Sequence, residues 1–260
     1  MSDYPNLKLE RRGSVALVTM NNPPANTWTQ EGLAGLRDLV NELNADAGIY
    51  SLVLTGEGEK FFSAGAELKL FADGDVSVAA AMARSFGEAF ETLAEFRGVS
   101  IAAINGFAMG GGLEAALACD LRVAEEQAVM ALPEPKVGLL PCAGGTQRLP
   151  WLIGEAWAKR MVLCGEQVDA ETALRIGLVQ ETTGKGESLD KALAMAEQVA
   201  NQSPTSVAWC KQLIHGARQR AVDSTLPRER ELFVNLFSTE DQREGVNAFL
   251  EKRSPQWKNR

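Results

Sequence analysis

The sequence predicts an α/β fold, a strand-rich core followed by a helical C-terminal region. Three observations carry this. Short apolar runs alternate with stretches whose apolar residues recur at helical spacing. Glycine, proline and asparagine punctuate the joints. No strand pattern follows about Leu189. Strands alternating with helices imply crossover connections and parallel pairing.

The elements follow in order. Ser14-Val15-Ala16-Leu17-Val18-Thr19-Met20 reads as a strand, ended by Asn21-Asn22-Pro23-Pro24. Thr29 can cap a helix from about Gln30 to Leu43, with Leu33, Leu36, Val40 and Leu43 at helical spacing. Ser51-Leu52-Val53-Leu54-Thr55 is a short buried-type strand, and a glycine-rich loop runs from Gly56 to Gly65. Val76 to Phe96 is a long helix, and Ser100-Ile101-Ala102-Ala103-Ile104 a strand stopped by Asn105-Gly106. Gly110-Gly111-Gly112 opens a helix to about Cys119. Leu121-Arg122-Val123-Ala124 and Ala128-Val129-Met130-Ala131-Leu132 read as strands. From about Gly154 the pattern is mostly helical, apart from Leu178-Val179-Gln180-Glu181. The expected division is an α/β core over 1–188 and a helical region over 189–260, with no fixed-length repeat.

Composition bounds the function. A chain of 260 residues with 45% apolar and 23% charged residues can bury a sizeable core. No apolar run is long enough for a membrane span, and the N-terminal residues lack a secretory pattern. Cys119, Cys142, Cys164 and Cys210 are scattered without a CxxC pair, which fits free thiols in a reducing, cytoplasmic setting. A net charge of −8 argues against broad nucleic-acid binding. With His215 as the single histidine, a His-rich zinc site is impossible and a Ser-His-Asp triad would have to use that residue. It lies in a helical stretch and reads as structural. The phosphate-loop lookalikes Gly56-Glu57-Gly58-Glu59-Lys60 and Gly184-Lys185-Gly186 lack the Gly-Lys-Ser/Thr ending.

Two glutamates stand out. Glu114 follows the triple glycine and precedes an apolar run, and Glu134 lies between Pro133 and Pro135. An unpaired buried carboxylate costs several kcal/mol or titrates upward. Two carboxyls near one reacting centre can serve as acid and base on one water molecule. The glycines have two readings, a tight turn or a helix N-terminus whose free N–H groups polarise an oxygen. Glu114 could also complement the helix dipole, and Glu134 could be a solvated loop carboxylate.

Taken together, these segments resemble the crotonase, or enoyl-CoA hydratase/isomerase, superfamily over essentially the whole chain. The segments are Asn22-Pro23-Pro24-Ala25-Asn26, Phe62-Ser63-Ala64-Gly65-Ala66-Glu67-Leu68 and Ile104-Asn105-Gly106-Phe107-Ala108-Met109-Gly110-Gly111-Gly112-Leu113-Glu114. Leu132 to Pro141, Gly144-Gly145-Thr146-Gln147-Arg148-Leu149 and Phe249-Leu250-Glu251-Lys252-Arg253 complete the set. The resemblance implies a spiral of repeated ββα units with a helical C-terminal region. It implies that the N–H groups of Ala66 and Gly111 bind a thioester oxygen, and that Glu114 and Glu134 form the acid/base pair. Members with both acids are typically hydratases. It further implies an acyl-CoA substrate near Ala25, Ala64, Lys69, Phe233 and Lys252, no metal or cofactor, and a trimer or a dimer of trimers. Pro24, Glu67 and Cys142 depart from the family pattern; Cys142 reads as a small buried residue in preference to one that narrows the acyl pocket. Other readings are an isomerase or dehydratase of the same superfamily, or a non-catalytic acyl-CoA- or RNA-binding protein on this fold.

Overall fold

The computed structural model describes residues 4–71, 76–219, 239–241, 244, 248 and 253–260. The chain opens with a hairpin of β1 (Leu7–Arg12) and β2 (Val15–Met20), then α1 (Gln30–Ala45). Successive strand–strand–helix units follow. The first is β3 (Ser51–Gly56), β4 (Phe61–Ser63) and α2 (Val76–Ala94). The second is β5 (Val99–Ile104), β6 (Phe107–Met109) and α3 (Gly111–Ala118). The third is β7 (Leu121–Glu125), β8 (Val129–Ala131) and α4 (Gly145–Leu163). Then come β9 (Val168–Asp169), α5 (Ala170–Arg175), β10 (Glu181–Thr183), α6 (Ser188–Ala200) and α7 (Pro204–Gln219).

The strands sort into two sheets. One has the order β1-β2-β3-β5-β7-β10 and is parallel from β2 onward; the other has the order β4-β6-β8-β9. Each unit therefore gives its first strand to one sheet and its second to the other. The continuous apolar character of β3 follows from its position, since it is buried along its whole length between β2 and β5. Leu33, Leu36, Val40 and Leu43 of α1, with Phe86, Phe90 and Leu93 of α2, pack into the main core. The Thr29 hydroxyl accepts from Gly32 N–H at 3.1 Å, a cap worth about 1 kcal/mol.

Several expectations are corrected. β1 was not expected. Its apolar alternation is weak because it is an edge strand with most of its side chains exposed. The helix expected from Gly154 begins at Gly145 and is interrupted at Gly154, where φ is 78° and ψ is 158°. The strand expected at 178–181 pairs as β10 from Glu181 onward. Sequence alone offered the helices after Leu189 little strand to pack on. Yet Leu189, Ala192, Leu193 and Ala196 of α6 cover Val15, Leu17, Val53, Ile101 and Val123 on the outer face of the larger sheet.

Arg122 fixes the C-terminal end of α3. It is buried, and its guanidinium donates to the carbonyls of Cys119 (2.9 Å), Ala116 (3.3 Å) and Leu178 (2.7 Å). A cation at that end satisfies helix carbonyls that otherwise lack partners. The opposite end of the helix carries the candidate site.

Candidate active site

The start of α3 is shaped by backbone geometry. Gly110 has φ +52° and ψ −125°, a conformation a side chain would strain. Its N–H donates to Ala131 carbonyl at 2.9 Å, tying the helix start to β8. A Cβ on Gly112 would lie 2.2 Å from the Ser63 carbonyl oxygen, so α3 sits directly against β4.

The loops after β2 and β4 are stitched together. Ala64 N–H donates to Ala25 carbonyl (3.0 Å), Trp28 N–H to Gly65 carbonyl (2.8 Å), and Ser63 hydroxyl to Asn26 carbonyl (2.7 Å). The Asn26 amide donates to the Glu57 and Phe61 carbonyls, each at 3.0 Å. Ala66 forms an isolated parallel bridge with Trp28, a pairing that engages the groups flanking Ala66 and turns its own N–H the other way. Gly111 is the first residue of α3, so its N–H has no acceptor within the helix. A Cβ on Gly65 would stand 3.1 Å from Gly111 N, and one on Gly111 would stand 3.8 Å from Ala66 N. The two amides are therefore close neighbours, contributed by consecutive units.

Glu114 is only 2% exposed, one turn into α3. Its Oε1 accepts from Ala143 N–H and Gly145 N–H, each at 2.8 Å. Burial pushes its carboxyl above the usual range, against the opposing pull of those bonds and the nearby Arg148 charge. Glu134 begins a short 3₁₀ turn, Glu134–Val137, and is half-buried. Its Oε2 is buried without a hydrogen-bond partner. Burial, and after it the charge of Glu114, push this carboxyl up to about 7. Its Oε1 lies 3.0 Å from where a Cβ on Gly110 would be, which puts it beside the start of α3. The fold thus gathers both glutamates and both amides into one place.

Cys142 is not the buried residue expected from sequence. It is exposed, yet its thiol is enclosed enough, and close enough to both carboxylates, to be pushed up to about 11. Ala25 and Ala64 are joined by their backbone bond at the rim, and Lys69 is exposed on the 3₁₀ turn Leu68–Phe71. Phe233 and Lys252 lie outside the described residues. His215 sits apart, on α7, with Nε2 3.6 Å from Asp120, which also binds Lys211 at 2.7 Å. Sequence reasoning missed the groups that hold Glu114. The segment Gly144 to Leu149 was tied through the resemblance to the second acid and not to Glu114, because the donors, Ala143 and Gly145, act through main-chain N–H groups that leave no mark on residue type.

Fold and site together define a class, an α/β protein with two carboxyls of unequal environment beside two neighbouring main-chain amides, one of them at a helix start. Known proteins carry this further. The profile of the enoyl-CoA hydratase/isomerase family matches residues 10–260. The 2,3-dehydroadipyl-CoA hydratase of Escherichia coli K12 is 40% identical over 257 residues, covering 98% of this chain and 99% of that protein. Among solved structures, DspI of Pseudomonas aeruginosa is 64% identical with a TM-score of 0.97, covering 99% of this chain and 98% of its own. The enoyl-CoA hydratase of Bacillus anthracis is 34% identical with a TM-score of 0.95, covering 98% and 100%. The chain belongs to the enoyl-CoA hydratase/isomerase family and has its crotonase fold. As an enzyme it falls with that family's hydro-lyases.

Proposed function

We propose that the protein hydrates a 2-enoyl-CoA across its 2,3 double bond, with Glu114 and Glu134 as the acid/base pair and the amides of Ala66 and Gly111 as the oxyanion hole. The observation that carries this reading is the unequal environment of the two carboxyls beside two closely neighbouring main-chain amides. Burial raises the Glu114 carboxyl, and its two N–H donors and the Arg148 charge pull it back towards the ionised form. Glu134 lacks a partner on its buried oxygen, which favours its protonated form.

The chemistry follows from that difference. Glu114 takes a proton from water as the oxygen bonds to C3. The electron pair of the double bond moves through C2 onto the thioester oxygen, where the two amides meet the developing charge. Collapse of the enolate draws the Glu134 proton onto C2. Glu114 is then protonated and Glu134 ionised, and proton exchange resets the pair. Dehydration runs the same steps backwards with the protons reversed, so apparent pKa values belong to the pair.

Ala25, Ala64 and Ala66 offer backbone groups to the CoA portion in this reading, Lys69 a charge for its phosphates, and Phe233 and Lys252 contacts from the C-terminal region. No metal or cofactor is called on, and the assembly is a trimer or a dimer of trimers. A panel of 2-enoyl-CoAs with a 3-enoyl-CoA is the test. Loss of the conjugated enoyl absorbance with formation of a 3-hydroxyacyl-CoA is expected. Double-bond migration without water addition would assign an isomerase instead. Tight CoA binding with no turnover would leave a non-catalytic binding protein.

A further inference from the structure

We propose that Arg148 is a positioning residue for the reaction, clamping the turn that holds Glu114. The proposal rests on the reading of Glu114 as the ionised base. The Arg148 guanidinium donates through Nη1 to Ala143 carbonyl at 2.9 Å and through Nη2 to Phe90 carbonyl at 3.5 Å. It lies directly over Gly144, where a Cβ would come within 2.4 Å of Nη1. The backbone at Gly144 has φ +103°, so the position favours a residue without a side chain both for conformation and for space.

The order of peptides in this turn gives the clamp its effect. Ala143 N–H belongs to the peptide between Cys142 and Ala143. Gly145 N–H belongs to the peptide between Gly144 and Gly145. Both donate to Glu114 Oε1 at 2.8 Å. Arg148 grips the peptide between these two, through the Ala143 carbonyl. Each outer peptide shares a Cα with the middle one, so fixing the middle peptide narrows the swing left to both outer N–H groups. The second arm reaches α2 at Phe90, whose ring packs on Trp28 and Phe86 within the core. This second, longer contact ties the turn to α2. Arg148 also stands close enough to pull the Glu114 carboxyl towards its ionised form.

A structural arginine and a positioning arginine make different predictions. Arg148→Gln removes charge and fork. Its kcat for hydration falls about 10- to 100-fold with KM changed little, as expected for a misaimed base. The acid limb of its kcat/KM profile moves up by about half a pH unit or more, because Glu114 loses a cation. Arg148→Lys keeps the charge and loses the planar fork, so its kcat falls while the acid limb stays near the wild-type position. An arginine serving stability alone would lower Tm in both variants and leave the limb unmoved. If Arg148→Gln fails to fold, Arg148→Lys decides, and wild-type kcat there overturns the proposal. Folded Arg148→Gln with an unmoved limb and kcat within about twofold overturns it equally. Glu114→Gln is measured alongside. Full activity in that variant would refute the underlying reading of Glu114, whereas a dead Glu114→Gln beside an unaffected Arg148→Gln would refute only the clamp.

Discussion

Glu134 keeps a buried oxygen without a partner, an arrangement that stability alone does not select. The wild-type fold should therefore lose stability as this carboxyl ionises. Its folded pKa, about 7, is raised above the ordinary carboxyl value of 4.5. Between those values the folded state binds more protons than the unfolded one, so stability is present at low pH and lost as pH rises through about 7. Glu134→Gln should raise Tm relative to wild type by about 2–4 °C above that window and by less below it. Calorimetry on both sides checks this, and an equal effect at both would contradict it. Activity carries the opposite mark. Glu114→Gln and Glu134→Gln should each cut hydration kcat by about 100-fold or more with CoA binding little changed, and near wild-type turnover in either would remove that residue from the mechanism. The proposed hydration starts with Glu134 protonated and Glu114 ionised. The kcat/KM profile should then fall as pH rises through about 7, with its acid limb set by the raised Glu114. Both glutamates were legible in sequence because a charge in an apolar stretch asks for a reason. Ala143, Gly145 and Arg148 were not. The first two act through main-chain N–H groups common to every residue, and an arginine on a helix gives no sign of which carbonyl it will meet. Cys142 was misread for a related reason, since its flanks Pro141 and Ala143 are buried while it turns outward.

α3 is the element on which the site depends. Its start lies against β4 through Gly112, and its end is held by Arg122. Gly112→Ala would drive a methyl group into the Ser63 carbonyl and should separate α3 from β4. The expected outcome is lost stability together with lost activity, read by thermal melting and turnover; a variant equal to wild type in both would show that the contact yields freely. Gly111→Pro removes one of the two proposed oxyanion donors and should lower kcat by about 100- to 1,000-fold. Circular dichroism must accompany the kinetics, and a folded, fully active variant would sink the oxyanion assignment. Long elements were readable because α1, α2 and β3 repeat their period often enough to be seen. β4, β6, β8 and β9 span only two or three residues each, too few to display a period. Of these, only β8 was anticipated, as part of the longer apolar stretch Ala128–Leu132. β1 hid behind the mixed polarity of an edge, and α4 behind the Gly154 interruption.

At the scale of the molecule, the repeat of strand, strand and helix was legible only through family resemblance. Its first strands begin at Ser51, Val99 and Leu121, so no constant spacing marks it. Among the described residues no helix is long and apolar enough to cross a membrane. Trp151 and Ile214, each 63% exposed, line one cavity with Leu152 and Val207, an apolar face that the proposed assembly of three or six chains would cover. Truncation after Thr225 should abolish both assembly and CoA affinity, and light scattering with CoA titration would read both. A monomer with full activity at micromolar concentration would contradict this. The spiral itself has a further consequence. Ala66 comes from the first unit, Gly111 and Glu114 from the second, and Glu134 from the third. In the proposed mechanism, polarising the thioester and delivering the last proton are therefore encoded in separate stretches of the gene. Drift in the third unit can exchange one reaction for another while the first two go on activating the same kind of substrate. A scaffold divided in this way can diversify its chemistry without first surrendering its grip on coenzyme A.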